Sequence, residues 1–208
     1  MSSNRPLQAA RFASLFAAFA IFACAPAPPP QRSVLLVTVD TLRADYVHAY
    51  GFPLPNTPRI DELAARGVIF ENAIAAAAVT VPSHASIMTS RYAREHSVGT
   101  LNGETRLAGD VTLAEQLQRA GWETAAFVSN VVLRRRAGLD RGFDVYDDDL
   151  DAGELNRRGH FERVAERSVG RARDWLAGRS GRPFFLWVHV QDPHGPYTPP
   201  APYLGQIG

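Results

Sequence analysis

An α/β fold with a parallel sheet is predicted by three observations on the 208-residue sequence. Two continuous apolar runs, "SVLLVTVD" from Ser33 and "RPFFLWVHV" from Arg182, are typical of strands buried on both faces of a parallel sheet. Stretches with helix-capping signals alternate with such runs. The first run ends in Asp40, and the carboxyl ends of parallel strands are where open α/β sheets bind ligands. We therefore expect one domain, without internal repeats, after residue 32.

The segments between the two runs predict helices and strands in turn. "NTPRIDELAARG" has a proline suited to the first helical turn and a glycine suited to the stop, and "PSHASIMTS" is predicted as a helix beginning at Pro82. "GVIF" and "WETAAFVSN" are predicted as strands, and "LDRGFDVYDDDL" as a loop. "TLAEQLQRAG" and "RVAERSVGRARDWLAG" are predicted as amphipathic helices, the second with Val164, Val169 and Trp175 facing inward.

Composition limits the partners of the chain. It carries 22 lysine and arginine residues against 21 aspartate and glutamate residues, which leaves a formal net charge of +1. The basic stretch "LRRRAG" has no interleaved aromatic residues, so no nucleic-acid partner is expected. A single cysteine, Cys24, excludes an internal disulfide and a cysteine metal cluster.

The amino-terminal segment predicts export. Arg5 and Arg11 precede the apolar stretch "FASLFAAFAIFAC", which is short for a membrane span and suits a secretory signal. "IFAC" resembles a bacterial lipobox, in which the cysteine is lipidated after cleavage; a plain hydrophobic helix is the alternative. We expect a signal peptide over residues 1–24, a Pro/Ala tether over 25–32, and an exported protein of the bacterial periplasm or outer membrane, anchored by lipid on Cys24.

Thr80 stands in "AVTVPSHASIMTS", just before a predicted helix. A hydroxyl at that place is a common helix cap. The same place favours an anion, because backbone amides and the helix dipole point toward it, and a phosphate or sulfate ester held there would present its central atom to the hydroxyl. A threonine hydroxyl is a poor nucleophile without a base or a metal. Both roles stay open, and reaction requires an activator.

Asp40 is the candidate to hold that activator, since a carboxylate at a strand end can bind a divalent cation beside Thr80. One carboxylate is not a metal site, and the other hard-ligand candidates stand in "WVHVQDPHGPY": His189, Asp192 and His194. His189 lies inside an apolar strand and fits a core histidine as well as a site residue. His194 follows that strand, in a proline-rich loop where a general acid or a leaving-group contact is useful.

Two further histidines and an acidic run complete the candidate residues. His84 follows Thr80 by one helical turn and is placed to face the same anion, whereas His96 suits a surface or capping role. The acidic run over residues 147–151 is typical of a solvated loop, and its spacing does not match an EF-hand.

These pieces, in this order, resemble the sulfatase family of the alkaline phosphatase superfamily. The resemblance rests on "VTVDTLRADYVHAYG", "NTPRIDELAARGVIFENA", "TVPSHASIMTS" and "DPHGPYTPP". It implies an alkaline-phosphatase-like, three-layer α/β/α sandwich with a mostly parallel sheet, and a divalent metal cation (Zn, Mn, Ca or Mg) as cofactor. Residue by residue, it makes Asp40 a metal ligand, Thr80 the nucleophile that also touches the metal, and His194 a substrate-side group assisting the leaving oxygen.

The nucleophile motif departs from the family pattern. The family requires a cysteine or serine that is oxidised to formylglycine, with an arginine after "PS", whereas this chain has Thr80 and His84. A threonine cannot yield that aldehyde. The usual paired aspartates of the first strand are here Asp40 and Thr41. A threonine nucleophile instead resembles the phosphodiesterase and phosphotransferase branches of the superfamily.

The substrate side departs as well. The family's "GK" after the next strand, which provides a lysine, is here "VSN", with Ser129 and Asn130. We expect His84, Asn130 and His189 to contact the substrate.

The expected function is metal-dependent hydrolysis of phosphate or sulfate esters of small molecules, glycans or lipids, with phosphodiester cleavage or phosphoryl transfer through Thr80 favoured. A true sulfatase and a truncated, non-catalytic lipoprotein module are the alternatives. The family's other metal ligands belong to a later motif of the form Ser or Thr, Asp, His, Gly, which does not occur before Gly208. Residues 33–208 are therefore expected to be the amino-terminal part of a sulfatase-like catalytic domain whose C-terminal part is missing.

Overall fold

The computed structural model of the chain describes residues 32–99, 106–150 and 162–195, together with 197, 199, 201 and 203. At its centre is a four-stranded parallel sheet with the strand order β1-β4-β2-β3. The strands are β1 (Val34–Val39), β2 (Glu123–Phe127), β3 (Val145–Asp147) and β4 (Phe184–Val190). The α/β fold predicted from the sequence is confirmed.

Helices lie on both faces of this sheet. They are α1 (Pro58–Arg66), α2 (Thr80–Thr89), α3 (Ala93–His96), α4 (Leu113–Arg119) and α5 (Ala165–Ala177). Side chains alternate along β4, so Phe185 and Trp187 join the core formed with α2 and α4, whereas Leu186 and Val188 join Ala172 of α5 on the opposite face. The described residues therefore form an α/β/α sandwich.

The prediction that the first run is buried on both faces is wrong. Val34, Leu35 and Val37 of β1 are 41%, 57% and 52% exposed. The strand order explains this, because β1 lies at the edge of the sheet and has β4 as its neighbour among the described strands. Helix α1 buries none of its own residues.

Three local predictions also differ from the structure. "GVIF" forms no strand, and Val68 and Phe70 in it are exposed. The acidic stretch predicted as a loop contains β3, which pairs in parallel with β2. Helix α2 begins at Thr80 and not at Pro82, so Thr80 is its first residue. A strand of three residues carries too short a pattern to be recognised from sequence.

Helix α5 is present, but a different set of residues faces inward. Val164 and Val169 are exposed, whereas Ser168 and Ala172 are buried. Trp175 packs against the core beside α5, as predicted. The hydroxyl of Ser168 has partners in a buried polar network.

Arg163 is the centre of that network. Its side chain is fully buried, and it donates hydrogen bonds to Asp147 Oδ1 at 2.7 Å, Ser168 Oγ at 2.8 Å and the Val128 carbonyl at 3.0 Å. Asp147 Oδ2 also accepts a bond of 2.9 Å from Arg171 Nη1. At least part of the acidic run is therefore ion-paired, and both oxygens of the Asp147 carboxylate bind arginine side chains.

Lowering the pH below about 4 is expected to remove stability through Asp147. Burial acts to raise the pKa of Asp147, but the hydrogen bonds and positive charges of Arg163 and Arg171 outweigh it, so the pKa lies below its ordinary value of 3.8. A depressed folded-state pKa means that this stabilisation is complete above the unfolded-state pKa and is lost as the pH falls through the folded-state pKa. Urea unfolding at several pH values measures the loss.

Asp147→Asn should flatten the acid branch of that stability curve. Asp45→Asn is the matched control, because Asp45 pairs with Arg43 on the exposed surface, where an ion pair contributes little. Equal acid branches for the wild type and Asp147→Asn would contradict the prediction.

The predicted signal peptide, Cys24 and the tether up to residue 31 lie outside the described residues. Within the described ranges, no helix is long and apolar enough to cross a membrane.

Candidate active site

A pocket of about 630 Å³ lies at the carboxyl end of β1. Four residues that the sequence singled out contribute to its wall: Asp40, Thr80, His84 and His194. They come from the end of β1, the first two turns of α2 and the loop after β4, so the fold brings together segments that are far apart in sequence. This convergence is what the carboxyl edge of a parallel sheet provides.

Asp40 is held at the sheet edge by its own backbone. Its N–H donates to the Val190 carbonyl at 3.0 Å, which continues the pairing of β1 with β4 by one residue. The next residue, Thr41, has φ of 55°, in the left-handed region that a β-branched residue rarely adopts. The chain therefore turns sharply away immediately after Asp40, at the rim of the pocket.

Thr80 is directed at Asp40. The Thr80 hydroxyl donates to Asp40 Oδ2 with an oxygen–oxygen distance of 3.3 Å, and α2 has no side-chain cap. The amide cluster expected for an anion is smaller than the sequence suggested. Pro82 has no N–H, and the N–H of Ser83 already donates to the Val79 carbonyl at 3.0 Å.

His84 is bound on both sides by the protein itself. Its Nδ1 lies 2.8 Å from the Thr80 carbonyl oxygen and its Nε2 lies 3.1 Å from Thr38 Oγ1. Burial lowers the pKa of His84 to about 4, helped by the charge of His189, so the ring is neutral at neutral pH. Both ring nitrogens of His84 already have protein partners. A substrate contact by His84 stays a prediction.

His189 lies behind Asp40 and does not line the pocket. Its side chain is fully buried, its Nε2 is 3.6 Å from Asp40 Oδ2, and neither ring nitrogen has a hydrogen-bond partner. At that distance the attraction is electrostatic and not a short hydrogen bond. Burial acts to raise the pKa of Asp40, but the interaction with His189, with smaller contributions from His194 and His84, holds that pKa below its ordinary value.

The loop after β4 holds His194 at the pocket. The backbone N–H of His194 donates to the Gln191 carbonyl at 2.8 Å, and the Nδ1 of its ring donates to the Gly195 carbonyl at 2.8 Å. Asp192, a candidate ligand from sequence, instead accepts the Ala165 N–H at 2.8 Å at the start of α5. Asp192 therefore ties the loop to the amino terminus of α5, where a carboxylate is favoured.

Asn130 lies outside this pocket. Its Nδ2 donates to Gln191 Oε1 at 2.6 Å, and its Oδ1 accepts the Val132 N–H at 3.0 Å. The neighbouring Ser129 is buried and donates to the His189 carbonyl at 2.7 Å. These contacts connect the ends of β2 and β4, and a substrate contact by Asn130 stays a prediction.

Sequence reasoning did not find Thr38 and Trp187. Thr38 Oγ1 accepts the Trp187 Nε1–H at 3.1 Å and touches His84. The sequence could have indicated Thr38, because it precedes Asp40 by two positions and residues two apart on a strand share a face. Thr38 is half-buried and Trp187 is fully buried, so the bond between them joins the site to the core.

The oxygen atoms at the pocket fit part of a divalent-cation site. Asp40 Oδ2 and Thr80 Oγ1 lie within reach of one another, and hard oxygen donors suit such ions. His189, with two unpartnered ring nitrogens beside Asp40, is an incompletely satisfied buried group. Among the described residues, no three His, Cys, Asp or Glu side chains form a metal-binding group. Because their oxygen atoms face each other at the pocket, Asp40 and Thr80 are the residues that would hold a cation.

The fold and the pocket define an α/β protein whose polar residues gather at the carboxyl edge of a parallel sheet. The sulfatase family model matches residues 32–207. The chain belongs to the sulfatase family, within the alkaline phosphatase superfamily, and at the family level the chemistry is hydrolysis of sulfate or phosphate esters.

Individual relatives are distant and longer. N-acetylglucosamine-6-O-sulfatase of Bacteroides thetaiotaomicron is 26% identical, over 91% of this chain and 36% of its own length. The multifunctional alkaline phosphatase superfamily protein PehA of Trinickia caryophylli is 27% identical, over 83% of this chain and 44% of its own length. The crystal structure of the phosphonate monoester hydrolase of Agrobacterium radiobacter shares the fold, with a TM-score of 0.68 and 23% identity over 83% of this chain and 43% of that one. The chain spans less than half the length of these relatives.

Proposed function

We propose that the protein is a metal-dependent phosphate-ester hydrolase or phosphotransferase in which Thr80 is the nucleophile. One observation carries the proposal: the Thr80 hydroxyl donates to Asp40 Oδ2 at 3.3 Å, in the wall of a pocket that His194 shares. With its proton directed at Asp40, the hydroxyl oxygen keeps its lone pairs for another partner. Such a partner is the phosphorus atom of a bound ester.

The roles of the chain's own residues follow from their chemistry. The Thr80 hydroxyl gives its proton to water as Oγ1 forms a bond to phosphorus. The bond from phosphorus to the ester oxygen breaks with its electron pair on that oxygen, which takes a proton from water while His194 contacts it. Asp40, whose pKa is held low, stays ionised and orients the hydroxyl. When held by Asp40 and Thr80, a divalent cation supplies charge neutralisation and activates the hydroxyl. Water or an acceptor alcohol then takes the phosphoryl group from Thr80.

Phosphate is favoured over sulfate because of the side chain at position 80. Thr80 carries a methyl group on Cβ, so its oxidation gives a ketone and not the aldehyde of formylglycine. The relatives' names do not decide between the esters, since they include a sulfatase and a phosphonate monoester hydrolase. A true sulfatase with an unmodified Thr80 is the second candidate, supported by the sulfatase relative.

A substrate comparison on the native protein tests the proposal. The protein, purified from its own cells, is assayed with Zn²⁺, Mn²⁺, Ca²⁺ or Mg²⁺ against a bis-aryl phosphodiester and an aryl sulfate, and quenched samples are searched for phosphate on Thr80. Faster phosphodiester cleavage with phosphothreonine supports the proposal. Faster sulfate cleavage identifies a sulfatase instead. No turnover of either ester with any metal contradicts both and favours a binding module.

The location is a proposal of its own. The apolar stretch before Cys24 supports export and lipid anchoring in the periplasm or at the outer membrane, where a small-molecule, glycan or lipid ester would be the substrate. The intact mass of the native protein tests it. A terminus at Cys24 carrying lipid supports the proposal, and an intact Met1 contradicts it.

A further inference from the structure

A chain of hydrogen bonds connects the core of the sheet to the backbone of Thr80. Trp187 Nε1 lies 3.1 Å from Thr38 Oγ1, which lies 3.1 Å from His84 Nε2, and His84 Nδ1 lies 2.8 Å from the Thr80 carbonyl oxygen. Thr38 is on the same face of the strand as Asp40, because the two residues are two positions apart. One face of the strand therefore carries both Asp40, which binds the Thr80 hydroxyl, and Thr38, which is linked through His84 to the Thr80 carbonyl.

The chemistry of the partners sets the direction of each bond. A carbonyl oxygen only accepts, so His84 Nδ1 carries the ring proton. In the neutral ring Nε2 is then an acceptor, and the Thr38 hydroxyl donates to it. The Trp187 indole N–H is only a donor, and it takes a lone pair of Thr38 Oγ1. Each group therefore leaves its neighbour one possible orientation.

We propose that Thr38 is a positioning residue of the site, which acts through His84 to fix the Thr80 carbonyl and thereby keeps the Thr80 hydroxyl on Asp40. Thr80 is the first residue of α2, and no side-chain cap restrains that turn. A first helical turn without a cap frays, which would let the hydroxyl turn away. The kinetic consequence rests on the proposed function, whereas the conformational consequence does not.

Three variants of the full chain separate this role from general stability. Thr38→Val removes the hydroxyl at similar volume, and Thr38→Ser keeps it. Thr89→Val is the matched control, because the Thr89 hydroxyl also bonds within α2, to the Ala85 carbonyl at 2.7 Å, but at the far end of the helix.

NMR measures the conformational consequence without any activity. In the wild type and in Thr38→Ser, the ring nitrogen shifts of His84 should report a proton on Nδ1, and three-bond couplings should report one χ1 rotamer for Thr80. Thr38→Val should shift the His84 Nε2 resonance, because that nitrogen loses its donor, and should average the Thr80 rotamer, whereas Thr89→Val should change neither. Wild-type values for both in a folded Thr38→Val overturn the proposal.

Kinetics measures the catalytic consequence on the bis-aryl phosphodiester. Thr38→Val should lower kcat by about tenfold to a hundredfold with KM nearly unchanged, since misplacement of a reacting group acts on the chemical step. Thr38→Ser should restore kcat, and Thr89→Val should retain it. An active wild type with unchanged kcat in Thr38→Val overturns the positioning role and leaves the proposed function standing. A wild type that cleaves neither ester overturns the proposed function, while the NMR result still decides whether Thr38 holds Thr80.

Discussion

Thr80→Ala is expected to abolish turnover, with a loss on the order of 10⁴-fold or more, because it removes the only atom proposed to bond to phosphorus. The change deletes a hydroxyl whose hydrogen bond, 3.3 Å to Asp40, ties no secondary-structure elements other than α2 and the end of β1. The fold should therefore survive. Steady-state kcat and the mass of the quenched protein measure the result, and no phosphate should be captured at residue 80.

Two companion variants make that result specific. Thr80→Ser keeps a hydroxyl at the same position and should still capture phosphate, now on serine. Thr89→Ala removes another α2 threonine hydroxyl, one bonded to the Ala85 carbonyl away from the pocket, and should keep full turnover. Retained activity in Thr80→Ala, or capture on a different residue, would exclude Thr80 as the nucleophile.

The gathering of Asp40, Thr80 and His194 in one pocket was predictable from sequence. Asp40 and His194 each follow a strongly apolar run, and the carboxyl ends of parallel strands meet at one edge of the sheet. Thr80 precedes a helical pattern, in a stretch that resembles the family's nucleophile motif although residues 80 and 84 depart from it. These inferences used local signals together with one general property of parallel sheets.

Other features depend on pairings that no local pattern encodes. The exposure of Leu35 follows from the edge position of β1, and strand order is a property of the whole chain. His84 follows Thr80 by one turn in any helix, but its partner Thr38 lies on a distant strand. The same reason explains why His189 was ambiguous: its burial behind Asp40 depends on the register that pairs Thr38 with it across β1 and β4.

Arg163→Met is expected to lower the free energy of unfolding by about 3–5 kcal/mol, because it removes one partner of a buried, hydrogen-bonded ion pair. The Arg163 side chain is fully buried, and the change deprives Asp147 Oδ1 and the Val128 carbonyl of their donor. Methionine fills much of the volume, so the loss comes mainly from polar groups left without partners. Urea unfolding of the purified chain measures it.

The surface offers the matched control. Arg59 is also an arginine with a carboxylate partner, Glu62 at 2.9 Å, but its side chain is 86% exposed, so Arg59→Met should cost about 0–1 kcal/mol. Equal losses for the two variants would show that the buried network stabilises the fold no more than an exposed ion pair does. A large loss for Arg163→Met alone has a consequence for the site, because Ser168 links Arg163 to Ser129, which donates to the His189 carbonyl behind Asp40. The same network that stabilises the fold then also holds the strand end from which the candidate site is built.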